Sequence, residues 1–308
     1  MTIGPAGDAP GCVWIDGRLL PADGVHLSAF DRGFQLGDGV FETLRVRASH
    51  PTELAEHVAR LRRSAEGLDI PLPADLDSRL ATGIAELLAV NGLDGHDGDA
   101  SVRITVSRGA YHGRGLLPAD EVVPATIAIQ AWPVTPASPA HLEQGLHLVA
   151  SAVRRDPANP LVSLKTTSRA DYVYARLEAR RAGADDAVFL TVDGHLSEGT
   201  TANIFVVRVA ADGVRELATP SLDCAILPGT TRSWLLGWAG RAGLRPVETR
   251  LTCDDLAGAE EAFLSSSVAG VLQVTRFEGK SIGTGRPGPW TRRARADREA
   301  MIRGESGA

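Results

Sequence analysis

"LVSLKTTSRADYVYARLEAR", residues 161–180, sets a lysine between a short apolar run and the start of a helical pattern. Lysine is rare in this chain. Of 32 basic residues only Lys165 and Lys280 are lysines, and the rest are arginines. An amine can deprotonate near neutral pH and attack a carbonyl, which a guanidinium cannot. A GC-rich coding bias would also replace lysine with arginine wherever it could and leave Lys165 as a surface survivor. Lys165 alone leaves both readings open.

Working outward from that lysine, the pattern places it after an apolar strand end and before a helix over 167–183 that begins near Thr167 or Ser168. A side chain at such a junction points into a cleft at a domain edge. Downstream, "DAVFLTVDGHLSEGTTANIFVVRV" reads as a hairpin, "TTRSWLLGWAGRAGL" as a helix and "EEAFLSSSVAGVLQVTRFEG" as two strands. The tail "RPGPWTRRARADREAMIRGESGA" reads as a basic helix that frays. Upstream, "GLHLVASAV" is a strand, and "PVTPASPA" (133–140) carries three prolines and reads as a linker. Before it come a hairpin "CVWIDGRLL" (12–20), a Gly-rich turn "DRGFQLGDG" and a strand "GVFETLRVRAS" (39–49). Two helices follow (51–70 and 75–93), then strands at 101–109 and 125–134 flanking the loop "GAYHGRGLLPADE". Strands and helices alternate in both halves. The expected fold is α/β with mixed sheets in two domains: a smaller one over 1–132, the linker 133–140, and a larger cofactor-binding one over 141–308.

Composition narrows the function classes. A formal net charge of −6 argues against a nucleic-acid-binding protein. Apolar runs such as "IAELLAV" are far too short to span a bilayer, so no membrane partner is expected. The start "MTIGPAGDAPGC" has neither a basic region nor an apolar stretch and reads as a loose tail, not a signal peptide. Cys12, Cys224 and Cys253 are an odd number without metal-ligand spacing and fit a reducing cytoplasm.

Three further motifs bear on Lys165. "LSEGTTANIF" sets Glu198 in a run of glycine and hydroxyl residues, where a lone acid is more often merely solvated. "LPGTTRSW" places Gly229, Thr230 and Thr231 just before a helix, which suits either a phosphate or simple N-capping. "FLSSSVAG" is a second hydroxyl-rich turn, and three serines also make an ordinary tight turn. Each alone is weak. A lysine amine, an acid for a pyridine nitrogen and two phosphate-gripping turns are together what pyridoxal 5′-phosphate (PLP) requires.

The order and spacing of these motifs resemble the class IV aminotransferases, the PLP enzymes of fold type IV. Six collinear segments over roughly residues 12–290 carry the resemblance: "DRGFQLGDGVFETLRV", "HVARLRRSAEGL", "LKTTSRADYVYARLEARRAGADDAVFL", "GHLSEGTTANIFVV", "ILPGTTRSWLL" and "FLSSSVAGVLQVTRF". The resemblance implies that Lys165 forms the Schiff base with PLP and then moves the substrate proton. It implies that Glu198 pairs with the pyridine nitrogen, with Asn203 ordering the turn around it. It assigns Arg60, Thr230, Thr231, Ser266 and Ser267 to the cofactor phosphate. It also implies a homodimer whose site both chains complete.

Departures from the family pattern speak to the substrate. Branched-chain enzymes carry a tyrosine five residues after the lysine, and here that position is Ala170. Arg169 instead follows the lysine by four, as in the aminodeoxychorismate lyases, and Thr43 in "FETLRV" also matches the lyases. The loop "RGAYHGRGLLP" (108–118) resembles the site-closing loop of lyases and D-amino acid transaminases. The Arg-x-His pair of the latter is broken, since Gly115 and Leu116 follow Arg114. Arg114 and His112 nonetheless stand as candidates for the substrate carboxylate. The leading expectation is a transaminase acting between a small amino acid, D-amino acids included, or a primary amine and a 2-keto acid. The alternative is aminodeoxychorismate lyase. A non-enzymatic PLP carrier is disfavoured, because mere binding does not need the acid at the pyridine nitrogen.

Overall fold

The computed structural model describes residues 11–118 and 123–305. The expected loose tail over residues 1–10 lies outside the described residues, as do 119–122 at the end of the "GAYHGRGLLPADE" loop and the last three residues. The chain divides into two compact units. One holds the described residues up to Thr135 together with Leu164–Arg169, and the other Pro136–Ser163 with those from Ala170 onward.

In the first unit the elements run β1 (Cys12–Ile15), β2 (Arg18–Pro21), α1 (Arg32–Leu36), β3 (Gly39–Arg47), β4 (His50–Pro51), α2 (Leu54–Glu66), α3 (Leu76–Val90), β5 (Asp99–Ser107) and β6 (Thr126–Pro133). The β1–β2 hairpin turns at Asp16 and Gly17, both at positive φ (49° and 89°), as a two-residue turn of this hand demands. Among the described residues the sheet has six strands in the order β2-β1-β6-β5-β3-β4, all antiparallel. Alternation along β3 puts Val40, Leu44 and Val46 in a core with Leu61 of α2 and Leu80, Ile84 and Leu87 of α3. Helix α3 approaches the sheet closely at Gly83, where a Cβ would stand 2.8 Å from Trp14 Cε2. The stretch expected as a turn before β3 contains α1, capped by Asp31, which accepts from the backbone N–H groups of Gly33 and Phe34.

The second unit runs α4 (Pro139–Gln144), β7 (Leu146–Arg155), α5 (Ala170–Arg181), β8 (Asp186–Thr191), β9 (Leu196–Gly199), β10 (Asn203–Val209), β11 (Arg215–Pro220), α6 (Thr230–Ala242), β12 (Arg245–Thr249), α7 (Cys253–Ala257), β13 (Glu261–Ser266), β14 (Gly270–Phe277), β15 (Lys280–Ser281) and α8 (Pro289–Ile302). Among the described residues its sheet orders β12-β11-β10-β13-β14-β7-β8-β9, with β15 added on β14. The pairs β11–β12, β14–β7 and β7–β8 are parallel, and the rest antiparallel. Strand β10 is buried on both faces. Ile204 and Val206 join one apolar cluster, while Phe205 and Val207 join another under α6 and α8. That explains its unbroken apolar run "NIFVV".

Two expectations change. The segment over 186–209 is three strands, because β10 leaves the β8–β9 hairpin to pair with β11 and β13. Helix α5 starts at Ala170, not near Thr167 or Ser168. The hydroxyls of Thr167 and Ser168 donate to the Gly37 carbonyl at 2.8 and 3.3 Å, and the Thr167 N–H donates to Gly39. These residues are tied to the start of β3 and are not available for a helical turn.

Candidate active site

Lys165 is held by its backbone. Its N–H donates to Ser64 Oγ at 3.0 Å and its carbonyl accepts from Phe41 N–H at 2.9 Å. With a bridge between Val40 and Thr166, residues 165–167 run as a short extra rail along β3. The Lys165 ammonium lies 4.6 Å from the centroid of the Phe41 ring. The Arg103 guanidinium sits 3.8 Å over the same ring and that of Arg169 lies 5.7 Å away. Burial, and then the charge of Arg169, lower the pKa of Arg103. Three basic side chains gathered around one aromatic ring form a site that favours an anion. Thr43 shares the Phe41 side of β3 and faces Arg103 across the β3–β5 pair.

The opposite side of β3 holds a buried ionic group that the sequence reading missed. Glu42 is fully buried and receives Arg60 through two parallel bonds of 2.7 Å each, with His57 Nδ1 also at 2.7 Å. Burial raises the Glu42 pKa, but the bonds from Arg60 and His57 and the charges of Arg60 and Lys165 outweigh it and hold the carboxyl down at about 2. Arg60, assigned above to the phosphate, therefore has two of its donors committed to an ionised carboxylate. The sequence did carry a signal. Glu42 falls in phase with Val40, Leu44 and Val46, an acid on an apolar face that requires a partner.

In the loop over 108–118, Arg32 donates to the carbonyls of Gly115 and Leu116 at 3.2 and 2.6 Å, and bonds Asp38 at 2.8 Å. Arg108 meets the same Asp38 at 2.8 Å. The His112 ring lies 4.6 Å from that of Phe30, and Arg114 is exposed.

In the second unit, Glu198 is buried on β9. Its Oε2 accepts from the Leu227 N–H at 3.0 Å and from Asn203 Nδ2 at 3.3 Å. Its Oε1 faces Arg155 Nη2 at 3.5 Å. Arg155, also missed from sequence, donates to the Tyr172 hydroxyl and lies 4.9 and 5.3 Å from the rings of Tyr172 and Phe189. Asn203 Nδ2 also donates to the Leu227 carbonyl at 3.0 Å. Its Oδ1 occupies the space a side chain at Gly229 would need, 2.1 Å from an added Cβ. Gly229 caps α6 and offers no side chain to close its first turn. Beside it Thr230 Oγ1 and Ser267 Oγ are hydrogen-bonded at 3.2 Å, and Ser266 lines a small cavity with Thr201, Ala202 and Gly270. The separate motifs "LSEGTTANIF", "LPGTT" and "LSSS" are thus one connected group in space.

The donor set fits PLP. A helix N-terminus closed by no side-chain cap and bordered by hydroxyls suits a phosphate. A buried acid with one oxygen saturated and the other turned away from those donors suits a protonated pyridine nitrogen.

Comparison with known proteins agrees. The model of the amino-transferase class IV family matches residues 39–277, and the chain belongs to that family. Its fold is that of fold type IV, and its cofactor is PLP. It is 32% identical to a putative branched-chain-amino-acid aminotransferase of Methanocaldococcus jannaschii, covering 91% of this chain and 93% of that one. It is 30% identical to the D-alanine aminotransferase of Bacillus licheniformis, over 96% and 98% of the two chains. It is also 30% identical to the aminodeoxychorismate lyase of Bacillus subtilis, over 88% of each. Among solved structures, the Escherichia coli branched-chain amino acid aminotransferase superposes with a TM-score of 0.87 at 27% identity, covering 97% and 96% of the two chains. A second branched-chain amino acid aminotransferase, solved with pyridoxamine 5′-phosphate, superposes with a TM-score of 0.85 at 28% identity, covering 96% and 95%.

Proposed function

We propose that the chain is a PLP-dependent transaminase that moves an amino group from a small amino acid, D-amino acids included, or a primary amine to a 2-keto acid. The observation that carries this reading is Lys165 on the Phe41 ring beside Arg103 and Arg169. An amine next to two guanidinium groups on an apolar platform suits a substrate with a carboxylate close to its reacting carbon. Bound PLP supplies the electron sink. Lys165 would hold the cofactor through its amine and would move the proton at the substrate Cα. Glu198 keeps the pyridine nitrogen protonated, and Asn203 holds Glu198 in place. Thr230, Thr231, Ser266, Ser267 and Arg60 bind the phosphate, while Arg103 and Arg169, with Arg114, His112 and Thr43, bind the substrate.

Two features favour a second reading, aminodeoxychorismate lyase. Arg169 follows the lysine by four, and Thr43 lies opposite Arg103. A homodimer is part of the proposal. The first unit leaves Val25, Phe34, Leu116 and Leu117 exposed, apolar side chains that a dimer interface would cover. A cytoplasmic setting suits the three free cysteines. The test is spectroscopic. The cofactor band of the purified protein should disappear with an amino donor and return with a keto acid. Pyruvate release from aminodeoxychorismate without that cycle would replace the transaminase with the lyase.

A further inference from the structure

Helix α8 lies beyond residues 39–277, the part matched by the family. Its inward stripe is Thr291, Ala294, Arg298 and Ile302. Spacing of this kind ordinarily calls for an apolar residue at the third place, yet the chain has an arginine there with 0% of its surface exposed. Arg298 Nη2 donates to Thr231 Oγ1 at 3.2 Å, and its guanidinium carbon lies 5.3 Å from the Trp234 ring centroid. Thr231 is the second residue of α6 and is itself buried. The guanidinium therefore meets α6 in its first turn, which follows Gly229 and includes Thr230, the hydroxyl partner of Ser267.

A cation is poorly placed at a helix N-terminus, whose own dipole end is positive. An anion at the α6 N-terminus would be attracted by the helix end and the guanidinium together. The hydrogen bond has a second effect. A hydroxyl that accepts from Arg298 keeps its own proton free to donate elsewhere.

We infer that Arg298 is a positioning residue for the cofactor phosphate: it fixes the Thr231 hydroxyl as a donor and places a buried positive charge behind the N-terminus of α6. The inference rests on the reading of the α6 turn as the phosphate site.

The experiment titrates apo-protein with PLP and, separately, with pyridoxal, which lacks the phosphate, following tryptophan quenching. In the Arg298→Met variant PLP affinity should fall roughly tenfold or more, the loss expected for one charge-assisted contact, while pyridoxal affinity stays unchanged. The ³¹P resonance of bound PLP should move as well. In a Thr231→Val background the Arg298→Met effect should shrink, because the guanidinium then has no hydroxyl to orient. If Arg298→Met does not fold, Arg298→Lys should show the same phosphate-selective loss to a smaller degree. Equal losses for PLP and pyridoxal would make Arg298 a clamp between α8 and α6 and overturn the inference, as would an unchanged PLP affinity. Failure of the wild-type apo-protein to prefer PLP over pyridoxal would overturn the phosphate assignment of the turn and Arg298 with it.

Discussion

Arg155 Nη2 stands 3.5 Å from Glu198 Oε1, while the other oxygen of that carboxylate takes the Leu227 N–H and Asn203. Arg155 thus sets a positive charge beside a buried acid without taking up its donor-free oxygen at hydrogen-bonding distance. Replacing Glu198 with Gln keeps the shape and removes the charge. We expect kcat to fall by about a hundredfold or more, in line with loss of a preorganised charge. Arg155→Met should lower kcat in the same direction. Steady-state kinetics on variants with unchanged melting curves checks both.

Gly229 offers a steric test of the link between Glu198 and the first turn of α6. An added Cβ would stand 2.1 Å from Asn203 Oδ1, so Gly229→Ala must push Asn203 away from Glu198 and Leu227. We expect PLP affinity and kcat to fall together, each by roughly tenfold. Equilibrium titration of the apo-protein measures the first, and initial rates the second.

The Glu42–Arg60–His57 group predicts a pH dependence of stability. The folded pKa of Glu42 is about 2 against an ordinary 4.5. A depressed pKa means that the folded state binds fewer protons than the unfolded one. The resulting stability is complete above about pH 4.5 and is lost as the pH falls toward 2. Glu42→Gln should flatten this dependence and destabilise the protein by about 3–5 kcal/mol at neutral pH, because Arg60 is left buried without its carboxylate. Urea midpoints at pH 7 and pH 3 decide it.

At Gly83 the prediction separates stability from function. A Cβ there meets Trp14 Cε2 at 2.8 Å and Ile129 Cδ1 at 2.9 Å, both in the core under the first sheet. Gly83→Val should cost about 1–3 kcal/mol by overpacking. The melting temperature should drop accordingly, while kcat measured well below it should equal that of the wild type.

The sequence made the local chemistry legible where motif and fold coincide. The Asp16–Gly17 turn, the helical period of α2 and α3, and the "LPGTT" entry to α6 could all be read from residues a few places apart. What could not be read depends on pairing across the chain. Thr167 and Ser168 look like a helix start until the Gly37 carbonyl claims their hydroxyls. Nothing near Arg60 in the sequence shows that Glu42, 18 residues away, takes two of its donors. Arg155 and Arg298 sit among many arginines, and nothing local marks either as buried beside a site residue. The departures at Arg169 and Ala170 remain the most informative sequence features for the substrate.

The most direct measurement is the absorbance of the purified protein, wild type against Lys165→Ala, in the presence of PLP. The wild type should show a cofactor band near the visible edge that disappears with an amino donor and returns with a 2-keto acid, and Lys165→Ala should show neither the band nor the cycle. A Lys165→Ala protein that retained the band, or a wild type whose band ignored every amino donor, would contradict the account.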